Sequence, residues 1–331
     1  MIKRTEDGNR PDLAAVKVNA PEGYIGGRIF PMVKSAVKAA KIYYTAIMAD
    51  VAAQTDRSVG ATLTATYIAA SSADYSVTKF EKRYACPWDE VEQMGGIEAT
   101  DKLGAQGSKR SVMRAIEDAQ AAALFDATSY GTATAISTGI LVGIANAVEA
   151  CKKVKGKSAL VMSNYIYNQV KQAPEIKDLM SRSFGGLTVQ QVLSLEPAAF
   201  LACIQGIFPV DEILIGDDDH WKISGQTDAL AVVKLAEPEE TSHKLDPVYA
   251  KTVVYYGKGN AEEPFDMISF PENDNHCNNY DATSWLVVKE LNVTGKSLMT
   301  FDLATAIAAA QTTATTAATT AQTTAATTAG A

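Results

Sequence analysis

The stretch ALVMSNYIYNQVKQAPEIKDLMSRSFGGLTVQQVLSLEP, residues 159–197, followed by FPVDEILIGDDD, residues 208–219, alternates strand and helix patterns. Ser158, Ala159, Leu160, Val161 and Met162 read as a short strand buried on both faces, because the run is apolar without alternation. Asn164 then stands where a helix N-cap belongs, and the helix it opens runs through Val170. Pro174 restarts a helical segment to Met180, since proline is tolerated in a first turn and not in an interior. Thr188 is placed to cap a further helix over residues 189–195. Ile213, Leu214 and Ile215 form a second strand that ends in a turn at Gly216. Strand, helices and strand thus alternate within one compact segment.

Working outward, residues 140–152 read as a helix ending in Lys152 and Lys153, cations that suit the negative end of the helix dipole. Residues 230–235, 252–256 and 284–288 are further strands. Residues 128–139 are rich in Gly, Thr, Ser and Ala and mark a boundary. Before it, residues 108–125 form an amphipathic helix. Val112, Met113, Ile116, Ala119, Ala123 and Leu124 share one face at spacings of three and four, with Arg110, Arg114, Glu117 and Asp118 mostly off it. Pro87 and Trp88 open this helical zone, and Gly95 with Gly96 interrupts it. The mixture of elements gives an α+β class.

Residues 41–85 read differently. Ile42, Tyr43, Tyr44, Thr45, Ala46, Ile47 and Met48 are β-branched, aromatic or apolar. Thr62 through Ile68 alternates threonine with apolar residues, and residues 75–84 supply a third strand candidate. The connector 50–60 is small and polar. This pattern predicts a projecting hairpin. A two-stranded ribbon is marginal alone in water, so another copy of the chain is the economical cover for it. Tyr43, Tyr44, Ile47, Leu63, Tyr67 and Ile68 are the side chains expected at that inter-subunit contact.

The two ends complete the plan. Residues 1–22 carry mixed charge with Pro11 and Pro21 and read as an extended arm outside the core. Tyr24, Ile25, Ile29, Phe30, Met32 and Val33 supply an apolar anchor for it. The chain carries no charge after Asp302, and residues 305–331 are nearly all Ala and Thr. Such a tail lacks the apolar content to fold by itself, and we expect it to dock on another subunit.

Composition narrows the function. The 331 residues are 47% hydrophobic and 21% charged, with a net charge of −8. An acidic chain without a basic stripe does not hold nucleic acid through counterion release. No apolar run spans a membrane, and the polar N-terminus lacks a signal-peptide core, so synthesis in the cytosol is expected. Cys86, Cys151, Cys203 and Cys277 have no metal-binding spacing and are expected as free buried thiols.

Catalytic signatures are missing from the sequence. The three histidines, His220, His243 and His276, form no local pair of the HExxH kind. There is no GxSxG, Walker A or GxGxxG motif; Gly26 with Gly27 and Gly185 with Gly186 read as turns. Asp217, Asp218, Asp219 and His220 are the sharpest polar cluster. They are suited in kind to a divalent cation, yet their place directly after a strand and a glycine reads as an Asp-rich turn. His276 and Cys277 sit in a polar loop. No cofactor, no metal and no catalytic residue is expected.

The segment 159–219 resembles the major capsid protein of tailed bacteriophages, whose fold is named after Hong Kong 97. It shares that family's axial-domain order of strand, Ser-Asn, Tyr, helix, Pro, helix and closing strand. A second resemblance lies in Ile116, Glu117 and Asp118 followed by Leu124, Phe125 and Asp126, similar to the end of the family's spine helix. The resemblance implies an arm and anchor (1–40), an extended hairpin loop (41–85), a peripheral domain with spine helix and sheet (86–135), an axial α/β domain (136–250), return strands (251–302) and the tail (303–331). It implies hexamers and pentamers closing an icosahedral shell around double-stranded DNA, with no sequence-specific binding and no membrane. The partners it implies are a separate scaffold or decoration protein and a portal, and the location is the virion, assembled in the bacterial cytoplasm. Some members join a lysine to an asparagine near an acid; no trio stands out here. Two other readings are weighed: an encapsulin-like nanocompartment shell of the same fold, and an α/β enzyme using the acidic turn 217–219.

Overall fold

The computed structural model describes residues 10–45, 70–126, 134–136, 139–152, 154, 156–183, 197–221, 229–235, 249–256 and 265–301. Two compact units emerge. The first spans residues 1–123, 154–156 and 235–293, and the second 124–153, 157–234 and 294–331. The expected segments 1–9, 46–69, 184–196 and 302–331 lie outside the described residues. With them go the strand at 62–68, the helix at 189–195 and the Ala/Thr tail.

The first unit is a sheet with a long helix on it. Its strands are β1 (Met32–Ser35), β4 (Thr78–Pro87), β9 (Ala250–Tyr255), β10 (Asp266–Glu272) and β11 (Cys277–Glu290), in the order β1-β9-β11-β10 with β4 also on β11. Strand β11 organises the sheet because its 14 residues are long enough to pair with three partners. It runs antiparallel to β10, β4 and β9, while β1 and β9 are parallel. The helix α3 (Ile97–Leu124) has 28 residues, about 42 Å at 1.5 Å per residue.

Two glycines bring α3 onto the sheet. A Cβ on Gly104 would stand 2.2 Å from the Tyr280 ring, and one on Gly107 would stand 2.6 Å from the Tyr84 ring. Tyr280 and Tyr84 are direct partners in the β11–β4 register. The helix therefore lays its small residues over a pair of cross-strand rings. Val112, Ile116, Cys86, Met267, Ala282 and Leu286 fill the core around them.

The N-terminal segment corrects the expectation of an arm outside the core. The helix α1 (Pro11–Ala14) contributes Leu13 and Ala14 to the same core. Arg10 is only 2% exposed and ties three elements together. Its guanidinium donates to Asp12 at 2.9 and 2.8 Å, to Asp101 of α3 at 3.0 Å and to Ser269 of β10 at 3.3 Å. Lys109 of α3 reaches the carbonyls of Ala14 and Val16 at 2.7 and 2.6 Å. Buried cations of this kind demand partners, and apart from Asp12 those partners lie on distant stretches of chain. The helix α2 (Gly26–Ile29) is held likewise: Glu117, buried in α3, accepts from the Ile25 and Gly26 amides at 2.7 and 2.9 Å. That carboxylate sits at the positive end of α2.

The second unit is a sheet of order β5-β12-β8-β6-β7. Its strands are β5 (Thr134–Ile136), β6 (Lys157–Ser163), β7 (Glu212–Gly216), β8 (Ala229–Leu235) and β12 (Lys296–Phe301). The helices are α4 (Ile140–Cys151), α5 (Asn164–Gln172), α6 (Pro174–Ser183) and α7 (Pro197–Gln205). Strand β6 is buried along nearly its whole length, as its unbroken apolar run requires. The N-cap of α5 is Ser163, whose hydroxyl accepts from the Ile166 amide at 3.2 Å, and not Asn164. Asn164 instead begins the helix, because the strand runs one residue further than the apolar pattern suggests, to Ser163, and the helix follows it directly. Tyr167 and Phe200 pack edge to face at 5.5 Å within a core that also takes Ile144, Leu160, Met180 and Leu230.

Chain boundaries shift accordingly. Strand β12 belongs to the second sheet, paired with β8 and β5, whereas residues 251–302 were all expected to return to the first. Residues 235–250 join the first unit and 124–135 the second.

Candidate inter-subunit surface

In the region of the expected hairpin the described residues form a separate two-stranded ribbon of β2 (Ala39–Thr45) and β3 (Ala70–Ser76), while the expected second strand at 62–68 lies outside them. Its register pairs Ile42 with Ala73, Tyr43 with Ser72 and Tyr44 with Ser71. The expected single strand at 75–84 is two strands. Val77 is buried and breaks the run, so that β3 stays in the ribbon and β4 enters the first sheet. The projecting part accordingly stops at Ser76 and not at residue 85.

Alternation gives the ribbon two unlike faces. Ile42, Tyr44, Ala73 and Tyr75 form one face and pack on Val253, Val287 and Leu291 of their own sheet. Lys41, Tyr43, Ser72 and Asp74 form the other, which this chain leaves in solvent. Tyr43 is 49% exposed. Lys41 and Asp74, opposite one another, approach to 4.0 Å. Both are so exposed that the pair contributes little stability. Of the expected contact residues, the structure therefore brings Tyr43 to the open face and turns Tyr44 toward its own subunit. Ile47, Leu63, Tyr67 and Ile68 lie outside the described residues. Period-two alternation was the signal that separates Tyr43 from Tyr44, once the start of the strand is known to be Ala39.

The sequence did not point to the base of the ribbon. There the Val77 amide donates to the Lys38 carbonyl at 2.9 Å. The Tyr75 hydroxyl and Ser35 hydroxyl lie 2.6 Å apart, and the Lys38 ammonium stands 3.6 Å above the centre of the Trp285 ring.

The acidic turn after β7 is occupied by structural duties. Asp217 accepts from the His220 amide at 2.8 Å and lies 3.4 Å from the His220 ring nitrogen. Asp218 accepts from the Tyr165 amide at 2.5 Å, at the start of α5. Gly216 is required beside it, since a Cβ there would stand 2.2 Å from Trp221. Among the described residues no three His, Cys, Asp or Glu side chains converge as a metal would need. The four cysteines are buried and joined in no disulfide, and burial pushes the Cys151 thiol up to about 12, far from a reactive thiolate. Among the described residues no helix is long and apolar enough to cross a membrane.

No family model and no curated protein matches the sequence. Solved structures do match. A phage-related protein of Bordetella bronchiseptica superposes with a TM-score of 0.61 at 15% identity, over 88% of this chain and 96% of that one. The capsid structure of cyanophage P-SCSP1u gives 0.53 at 13% identity, over 87% and 91%. The mature capsid of bacteriophage PhiM1 gives 0.51 at 11% identity, over 86% and 88%. At such identities the likeness is one of fold. The chain has the α+β, Hong Kong 97-type fold of phage capsid structures, as the sequence resemblance implied.

Proposed function

We propose that the chain is the major capsid protein of a tailed phage, a structural subunit and not an enzyme. The observation that carries this reading is the likeness of fold to a phage-related protein and to two phage capsid structures over 86–88% of this chain and 88–96% of theirs. A fold alone hosts many functions. Here the ribbon adds a specific reason, since it seats one face on its own subunit and offers Tyr43 outward.

On this reading subunits gather as hexamers and pentamers of an icosahedral shell. The open face of each ribbon lies against a neighbour, and many weak contacts per subunit sum to a stable particle. A net charge of −8 suits a wall around double-stranded DNA, because mild repulsion keeps the packaged polymer from adhering. A scaffold or decoration protein and a portal complete the particle, which forms in the bacterial cytoplasm and persists as the virion.

Nuclease treatment of particles purified from infected cells tests the content of the shell. Double-stranded DNA that survives the nuclease and co-sediments with this chain is the expected result. Particles that hold protein cargo and no DNA would make the chain a nanocompartment shell instead.

A further inference from the structure

We propose that Lys38 and Tyr75 form a latch that holds the β2–β3 ribbon on its own subunit in one orientation, and that this latch governs how readily the ribbon lifts. The idea rests on the ribbon being a contact arm, as proposed above.

Three observations at the base of the ribbon carry it. First, both strands leave the sheet through short connections. Residues 36–38 join β1 to β2, and Val77 alone joins β3 to β4. The 2.9 Å hydrogen bond from the Val77 amide to the Lys38 carbonyl closes these two connections into one hinge. Second, that hinge is braced from both sides. The Tyr75 hydroxyl meets Ser35 Oγ at 2.6 Å and donates to the Val37 carbonyl at 3.5 Å, and Ser35 Oγ also accepts from the Val37 amide at 3.2 Å. The Lys38 ammonium lies 3.6 Å from the Trp285 ring centre and 5.3 Å from that of Tyr255, placing a cation on two aromatic faces of the sheet. Third, the apolar seat is small. Ile42 is the one ribbon residue in it that is buried among the described residues, with Tyr44, Ala73 and Tyr75 only partly covered. A seat of that size does not by itself fix an angle, whereas a braced hinge does. A ribbon held in this way has two states, seated and lifted, which a neighbouring copy can bias by contacting the open face.

Hydrogen exchange of the full chain, read by mass spectrometry on unassembled subunits, tests the latch. Lys38→Gln and Tyr75→Phe are each expected to speed exchange of the β2 and β3 amides at least tenfold, with β9 and β11 unchanged. Lys38→Arg keeps a cation over Trp285 and is expected to retain wild-type protection. Unchanged ribbon exchange in both loosening variants would overturn the latch. So would protection lost throughout the first sheet, or Lys38→Arg behaving like Lys38→Gln. Failure of the capsid reading shows separately, as an absence of large particles from the wild-type chain.

Discussion

The Tyr280 hydroxyl donates a 2.6 Å hydrogen bond to Asp101, whose other oxygen receives Arg10 at 3.0 Å. A strand, a helix and the N-terminal segment thereby meet on one buried carboxylate. Burial pushes the Tyr280 hydroxyl well above its ordinary range, and the phenol remains a donor at every physiological pH. Removing that donor with Tyr280→Phe is expected to cost about 1–3 kcal/mol in urea unfolding. Asp101→Asn is expected to cost more, about 3 kcal/mol, because it strips a buried cation of one of its two carboxylates. Equal costs for the two variants would show that Arg10 draws no stability from Asp101.

The glycines under the spine helix make a second prediction. Gly104→Ala drives a methyl group into the Tyr280 ring and Gly107→Ala into the Tyr84 ring. Each is expected to destabilise by about 1–3 kcal/mol, the range for overpacked cores. Gly27 lies in α2 with no atom within 4 Å of an added Cβ. Gly27→Ala is accordingly expected to stabilise by about 0.5–1 kcal/mol. Thermal unfolding of the three variants checks both signs.

Lys296 predicts a pH dependence in the second unit. Its Nζ donates to the Leu124 carbonyl at 2.7 Å, and burial pulls its pKa from 10.5 down to about 6, against the opposing charge of Asp126. Between those two pH values the unfolded chain binds the proton and the folded chain does not. Stability therefore rises with pH from about 6 toward 10, and this contribution falls away as pH drops to 6. Lys296→Met removes the difference. Urea unfolding at pH 6.5, 8 and 9.5 is expected to give a shallower rise for the variant, and parallel curves would contradict the assignment.

The acidic turn is expected to be structural. Changing Asp217, Asp218 and Asp219 together to Ala removes the side-chain oxygens that accept from the His220 and Tyr165 amides. A loss of about 1–2 kcal/mol with assembly intact is the expected outcome. Assembly that fails and returns on adding calcium would assign the turn a metal.

What was legible in the sequence follows from how each element is held. Strand β6 was readable because Leu160, Val161 and Met162 are buried on both faces, which leaves an uninterrupted apolar run. Only the second half of α3 was readable. There Val112, Ile116 and Leu124 face the core at helical spacing. In the first half the inward positions besides Ala105 are Thr100, Asp101, Gly104, Ser108 and Lys109, buried through hydrogen bonds and close approach. Hydrophobic periodicity is blind to such positions. The role of Arg10 was hidden for the same reason, since beyond Asp12 its partners Asp101 and Ser269 stand 91 and 259 residues away. In the candidate surface, Tyr43 was found by residue type, and its separation from Tyr44 needed the pairing with β3. The latch was invisible because Lys38 and Trp285 are joined only by the fold.

The ribbon carries its own assembly prediction. Tyr43→Ser leaves the apolar seat and the fold untouched, since Tyr43 lies on the open face. It is expected to raise the concentration needed for assembly several-fold without lowering the unfolding temperature. Ile42→Ala, which hollows the seat, is expected to lower both stability and assembly. Loss of folding in Tyr43→Ser would place that side chain in the core.

A chain that builds a closed shell shows it in light scattering of the purified wild-type protein across a hundredfold concentration range. Spherical particles of megadalton mass, in equilibrium with small oligomers, are the predicted result. A monomer or dimer that persists at every concentration would contradict it.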